Sequence, residues 1–597
     1  MKLYISNSFF GLLLLLGLSM PLQAQDGSSL PSREDASADE KVQFNGLGRT
    51  ILNSTSIDGA LLDTDSTTAR NLQDGEFLLD VAINAQPNDK TEVQGILRLR
   101  NEFGGFFGAG VTVEIRELWA RGLIGNTVRY RVGDFDHVMT PYTFFNPDQE
   151  GIVNQPTIFQ PQNDVIDYEL FYGDGNTRRL QGANLDFGLD FAQILQEVKA
   201  DAFIARIRGT DFFTTPTRFT GGGQLDFATR RFGNDSTGVR ADIGINWSNV
   251  WDDLQSGNAT TGIRNDVISV DFNVDLYENE SLAVQLRGEA GQSNLEQRDG
   301  EKVTAEEDDT FLEAGVAVQL KKSKLGFSAT YLDIGPDFFS IGAQSKRVDF
   351  NRQMSFYDRI GNDRRLRMPT LFDLGRDRAL YTFQLSDQLM AYDPRYANVM
   401  PYGQATPNRS GIQIGVNYGD NESPLEAEAT VSLLEEIRGS GTFELKSFTQ
   451  IRLAADVHIN RLADWKRTTV LTLGLQQEQT DRSGQDVEQV DLSSTLIEVG
   501  LEAELFDRFD LLAGARLLTA EGSDYIPEYS GFNDIEDFPS RFIADDQETL
   551  IGAGFRYRFR DNIYLTVQYQ QFSLERAQDP TNDYDLRQIF AQYNMEF

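Results

Sequence analysis

The final stretch of the chain alternates without a break to its last residue. Ile589, Ala591, Tyr593, Met595 and Phe597 are interleaved with Phe590, Gln592, Asn594 and Glu596. The preceding stretch repeats the arrangement, with Ile563, Leu565, Val567 and Tyr569 set against Tyr564, Thr566, Gln568 and Gln570. The same period of two recurs at 551–559, 497–505, 451–459, 268–276 and 239–247. A period of two places alternate side chains on opposite faces of a strand. Strands that cross a bilayer must pair every backbone amide, which a closed barrel achieves, and they then show apolar side chains outward and polar ones inward. A soluble sheet also alternates, with its apolar face inward. The connections have to decide between them.

Short turns are expected at 87–89, 124–126, 278–280, 322–323, 420–422, 507–508 and 560–562. Long connections are expected between them, at about 135–178, 249–263, 292–308, 334–409 and 519–546. Counted back from Phe597, every short turn falls at one end of the strands and every long connection at the other, which is the barrel signature. The expectation is an all-β, transmembrane antiparallel barrel of about 22 strands, within a range of roughly 16 to 22. Aromatic residues at predicted strand ends (Tyr277, Tyr418, Trp465, Phe506 and Phe509 on the short-turn side, Trp247, Trp251 and Tyr331 on the other) suit the girdles such a barrel carries.

The start of the chain reads as an export signal over 1–24. Lys2 supplies the charge, Phe9 to Leu18 a short apolar core, and Ala24 a cleavage point before Gln25. A flexible acidic segment is expected over 25–41 and the barrel over 42–597, leaving too little before the first strand for a folded plug domain. The chain has no cysteine, which excludes lipid anchoring on a thiol, disulfides and thiolate metal sites. A formal net charge of -37 argues against nucleic acid or an anionic membrane surface as the main partner.

The terminal alternation through Tyr593, Met595 and Phe597 resembles the recognition signal of Gram-negative outer-membrane β-barrel proteins, which their assembly machinery reads. The resemblance implies an outer-membrane location, short turns toward the periplasm, long loops outside, and contact with lipid and lipopolysaccharide. A second stretch is similar to the early strands of large substrate-specific porins. It runs through Arg116-Glu117-Leu118-Trp119-Ala120-Arg121-Gly122, then Arg129-Tyr130-Arg131-Val132-Gly133-Asp134-Phe135, then Thr140-Pro141. Together these imply a porin-like barrel.

Five arginines, Arg98, Arg100, Arg116, Arg129 and Arg131, fall at lumen positions on three consecutive predicted strands, followed in sequence by 135–178. That loop is a candidate to fold inward as a constriction, where rings of charge set selectivity. The plainer alternative is that the arginines pair with Asp80, Glu114 and Asp134 and hold the wall together. Later strands are mostly acidic inside, while 334–409 is rich in arginine, including Arg364, Arg365, Arg367, Arg376 and Arg378. Such a loop could fold inward, bind lipopolysaccharide phosphates or dock another outer-membrane protein. The two histidines, His137 and His458, lack the serine geometry of a barrel hydrolase. The acidic run 533–537 lacks the ligand spacing of a calcium site. No catalytic residue, cofactor or metal is expected. The reading is a channel for passive diffusion of small polar or charged solutes. The alternative is a non-transporting subunit or scaffold of an export or assembly complex, and a barrel enzyme ranks below both.

Overall fold

The computed structural model describes residues 42–597 except 60–68, 104–109, 126, 148, 172–175, 192–193, 234–237, 256, 356–359, 361–367 and 527–539. The export signal, the acidic segment, the run 533–537 and Arg364, Arg365 and Arg367 therefore lie outside the described residues.

Twenty-two antiparallel strands form one sheet in which each pairs with the next and the last pairs with the first. The first six are β1 (Val42–Gly59), β2 (Asn71–Asn88), β3 (Thr91–Phe103), β4 (Val111–Ile124), β5 (Val128–His137) and β6 (Arg178–Asp190). Next come β7 (Leu195–Arg208), β8 (Thr217–Thr229), β9 (Arg240–Asp253), β10 (Thr261–Glu278), β11 (Leu282–Asp299) and β12 (Lys302–Leu320). Then follow β13 (Leu325–Ile334), β14 (Arg409–Tyr418), β15 (Leu425–Glu435), β16 (Ser447–His458) and β17 (Thr469–Arg482). The last are β18 (Val490–Phe506), β19 (Phe509–Ile526), β20 (Ser540–Arg560), β21 (Ile563–Arg576) and β22 (Tyr584–Glu596). The barrel closes at the chain's last residue, where Gly46 N–H donates to Phe597 O (2.7 Å) and Phe597 N–H to Gly46 O (3.0 Å).

The alternation sorts side chains as expected for a lipid-facing wall. On β10, Ile268 and Val270 are 46% and 47% exposed while Ser269 between them is 2% exposed. Two expected long connections are corrected. Strands β11 and β12 run through most of 292–308 and meet at a turn after Asp299, and β19 and β20 occupy much of 519–546. A strand needs only about 9–11 residues to cross the apolar layer. Beyond it both faces meet water, so the hydrophobic alternation that identifies a strand fades while the ladder continues.

The inner face is not polar throughout. Toward the long-loop end, Ile263 and Val267 on β10, Leu518 on β19, Leu550 on β20 and Phe572 and Leu574 on β21 point inward and are buried. Their cover is the chain's own two longest connections, 138–177 and 335–408.

Candidate functional site

Segment 138–177 leaves β5 beside a break in the β4–β5 ladder. Gly133 sits at φ +109°, where a Cβ would lie 2.2 Å from Leu118 O. The Asp134 carboxylate takes the Leu118 N–H (2.7 Å) in place of a backbone partner. The chain then turns inward: Thr140 Oγ1 donates to Glu289 (2.7 Å) and Tyr142 OH to Glu313 (2.7 Å), with the Tyr142 ring stacked 4.0 Å from Phe311. Further along, Val153 and Asn154 N–H both donate to Glu498 Oε2, at 2.7 and 2.8 Å.

Next to that carboxylate lies a glycine seat. Gly500, Gly514 and Gly552 are direct cross-strand neighbours on β18, β19 and β20. A Cβ on Gly500 would lie 2.8 Å from Pro156, one on Gly514 2.8 Å from Ile158, and one on Gly552 3.1 Å from Ile158. The missing side chains leave a trough into which Pro156, Ile158 and Phe159 fit, and Ile158 is fully buried there. Helix α1 (Gln160–Leu170) then runs on from the seat, with Pro161 in its first turn. Its Val165 packs on Ile51 of β1 and Phe590 of β22.

The end of α1 delivers Tyr168 and Glu169 to the predicted arginines. Glu169 accepts from Arg49 (2.7 Å), Arg98 (2.8 Å) and Arg100, and Arg378 of the second segment lies 3.6 Å away. Arg98 also grips Asp80 with both arms of its guanidinium, at 2.8 and 2.7 Å. Tyr168 OH donates to Asp80 (2.5 Å), and its ring lies 4.1 Å under Arg116. Burial alone would raise the Glu169 carboxyl, but Arg49, Arg98, Arg100 and Arg378 hold it down at about 2. A buried cluster of opposite charges of this kind costs several kcal/mol to break by removing one member.

Segment 335–408 is held by sockets in the wall. Asn265 binds Phe339 O and Ile341 N–H, both at 2.9 Å. Glu478 accepts Asn398 N–H (2.6 Å), and Glu548 accepts Leu371 N–H (2.8 Å), Tyr396 OH (2.9 Å) and Arg395 (3.0 Å). Arg376 reaches Gln570 and Gln588, and Arg378 reaches Glu76 at 3.4 Å. The two segments also grip each other, through Arg347 to Asp167, Lys346 to Glu150 and Gln149 to Tyr381. Their attachments run from β1–β4 through β8–β12 to β16–β22, and at Asp456 and Gly514 the first segment extends toward the short-turn end, so the two segments occupy the lumen.

The structure thus brings Arg98, Arg100 and Arg116 together and sets Arg129 and Arg131 apart. Arg131 pairs with Glu117 (3.3 Å) and lies 4.7 Å over Trp119. Arg129, beside the short turn, is 72% exposed and pairs with Asp186 (2.5 Å). Of the pairings expected from sequence, Asp80 takes its arginine, whereas Asp134 is spent on Leu118 N–H and Gln181. His137 stacks 4.1 Å from Phe203 and lies 3.5 Å from Asp201. His458 meets Glu426 at 3.1 Å. On β6–β12 carboxylates stand in opposed register: Asp186 with Asp201, and Asp271 with Glu289 and then Glu313, the last two accepting from Thr140 and Tyr142.

Sequence comparison with family models and with curated proteins gives no match. The solved structures similar to the chain are outer-membrane β-barrels. The ferric citrate transporter FecA aligns over 93% of this chain and 78% of its own, at 9% identity and a TM-score of 0.47. The copper transporter OprC covers 92% and 80%, at 9% identity and 0.46. A BenF-like porin from Pseudomonas fluorescens Pf-5 covers 93% and 99%, at 8% identity and 0.32. The chain shares with them a closed antiparallel barrel.

Proposed function

We propose that this protein is an outer-membrane transport barrel for small polar or charged solutes, gated by its own inward-folded segments. The observation that carries the reading is the lumen filling itself: one chain supplies both the wall and, through 138–177 and 335–408, a plug held by shaped and charged sockets. Movement of the plug would open the lumen, and solutes would then diffuse passively. The carboxylates on β6–β12 favour cations among ions in the opened lumen. Assembly through the terminal strand, and lipid and lipopolysaccharide around the wall, belong to the same proposal.

Purified full-length protein in planar bilayers should show a small or rarely open conductance. Deleting about 345–400 should raise the single-channel conductance, and no increase would count against a gating role for that segment. The filled lumen also suits the second reading, a non-transporting subunit. That protein would stay silent with or without the deletion and would co-purify with stable partners.

A further inference from the structure

The plug meets the wall differently in different places. On the glycine seat and around Leu512 and Leu518 the contact is apolar and tight. Between α1 and the wall of β20–β22, beside the charged pair of Asp164 on α1 and Arg556 on β20, it includes neutral polar groups that do not reach each other. Gln162 and Gln568 are 6% and 1% exposed, and both atoms of each side-chain amide lack a hydrogen-bond partner. So do both amide atoms of Asn163, the hydroxyl of Thr566, the amide nitrogen of Gln570 and the amide oxygen of Gln592.

These groups share one seam. Thr566, Gln568 and Gln570 alternate along the inner face of β21, and Gln592 is the register partner of Thr566. Phe590, the register partner of Gln568, packs on Val165, which lies one turn beyond Gln162 on the same face of α1. Asn163 lies 3.9 Å from the Cβ position of Gly375, next to Arg376, which itself reaches Gln570 and Gln588. The Arg376 guanidinium donates to the two glutamines and Phe372 O, lies 3.5 Å from the Phe372 ring, and has Asp373 as its nearby counter-charge.

A sealed wall gains nothing from such groups, because each buried and unpaired one destabilises the closed state. They become favourable only when the seam parts and they face water or a solute. Spare donors and spare acceptors are present together, and the Arg376 fork is already spent on amide oxygens. A matching solute must offer hydroxyls that both donate and accept, and it needs no charge. We propose that the plug parts from the wall between α1 and β21–β22, and that the exposed amides of Gln162, Asn163, Gln568 and Gln570 select a neutral polyhydroxylated solute of the sugar or sugar-alcohol class. The inference deepens the transport reading by naming the path and the solute.

The test uses the full chain in proteoliposomes. Swelling rates are measured in sorbitol, in tetraethylene glycol (similar in size, accepting along its chain but poor in donors) and in gluconate, with ion conductance recorded on the same preparation. The native protein should admit sorbitol at least 5-fold faster than either comparator. Gln568→Leu and Gln162→Leu, one on the wall and one on the plug, should each bring the ratio close to 1. The retained heat-modifiable gel shift shows that each variant's barrel is intact. Equal rates in the native protein, gluconate entering as fast as sorbitol, or a ratio unmoved in both variants would overturn the proposal. If those results come with normal ion conductance, the transport reading stands and only the seam is wrong. A protein that passes neither ions nor solutes overturns both.

Discussion

Filling the glycine seat tests directly whether the plug is held by shape. In Gly514→Leu the new Cβ starts 2.8 Å from Ile158 and 3.0 Å from Pro156, with Val499 O at 3.2 Å behind it. The wall cannot retreat, so the turn at 156–159 must lift. Overpacking of this kind costs about 1–3 kcal/mol. Lifting also exposes Ile158 and Phe159, now 0% and 3% exposed, and each fully buried side chain of that size contributes roughly 1.5–3 kcal/mol. Even a net shift of about 2 kcal/mol moves a two-state closed-to-open ratio roughly 30-fold, since about 1.4 kcal/mol corresponds to tenfold. Single-channel recording should therefore show open probability rising by at least tenfold with the barrel intact by circular dichroism. Adding Ile158→Ala should restore much of the closed state, because the smaller side chain makes room for the leucine, and the double-mutant cycle then reports a coupling of about 1 kcal/mol or more. A folded Gly514→Leu protein that gates like the native one would refute the seat as a determinant of closure.

Three further outcomes follow from the charged cluster. Glu169→Gln strips Arg49, Arg98 and Arg100 of their shared carboxylate and should open the channel, with limited proteolysis of 138–177 increasing, since breaking a buried pair costs about 3–5 kcal/mol. Because the Glu169 carboxyl is held at about 2, its contribution is complete above the ordinary glutamate range near 4.3 and is lost only as pH falls through about 2. Conductance should therefore stay flat from about pH 8 to 4.5 as far as this latch is concerned, and an opening step that disappears in Glu169→Gln but is centred near pH 6 would contradict the assignment. Arg98→Ala and Arg129→Ala should differ in kind. The first should raise open probability, whereas the second, on an exposed residue by the short turn, should shift the reversal potential toward cations and leave gating unchanged.

How much of this was legible in the sequence follows from what each contact depends on. Alternation and turn spacing are local properties, so the barrel, the sidedness of its turns and the lumen positions of Arg98, Arg100 and Arg116 could be read directly. Asp80 as the partner of Arg98 could be read too, but the carboxylate that joins the arginines could not. Glu169 comes from a helix inside a loop, where no periodicity announced which residue would face the wall. The extra residue that β4 accommodates near Arg116, turning both Arg116 and Glu117 inward, likewise depends on pairing with β3. The glycines at 500, 514 and 552 did carry a signal. Each occupies an inward position on one of three successive strands, and residues without side chains there mean that something else fills the space. The inward leucines of the upper wall are the same message in another form, apolar groups on a face expected to be wet.

The grip of the two plug segments on each other has a consequence for what an electrode would see. Arg347 is tied to Asp167, Lys346 to Glu150 and Gln149 to Tyr381, so neither segment can leave without breaking its neighbour's buried contacts. One segment displaced with the other still seated is therefore the least favourable arrangement, worse than both seated or both displaced together. Currents through this barrel should look like a telegraph signal, jumping between two levels with few in between, and the dwell times should lengthen together when any one of those ties is strengthened.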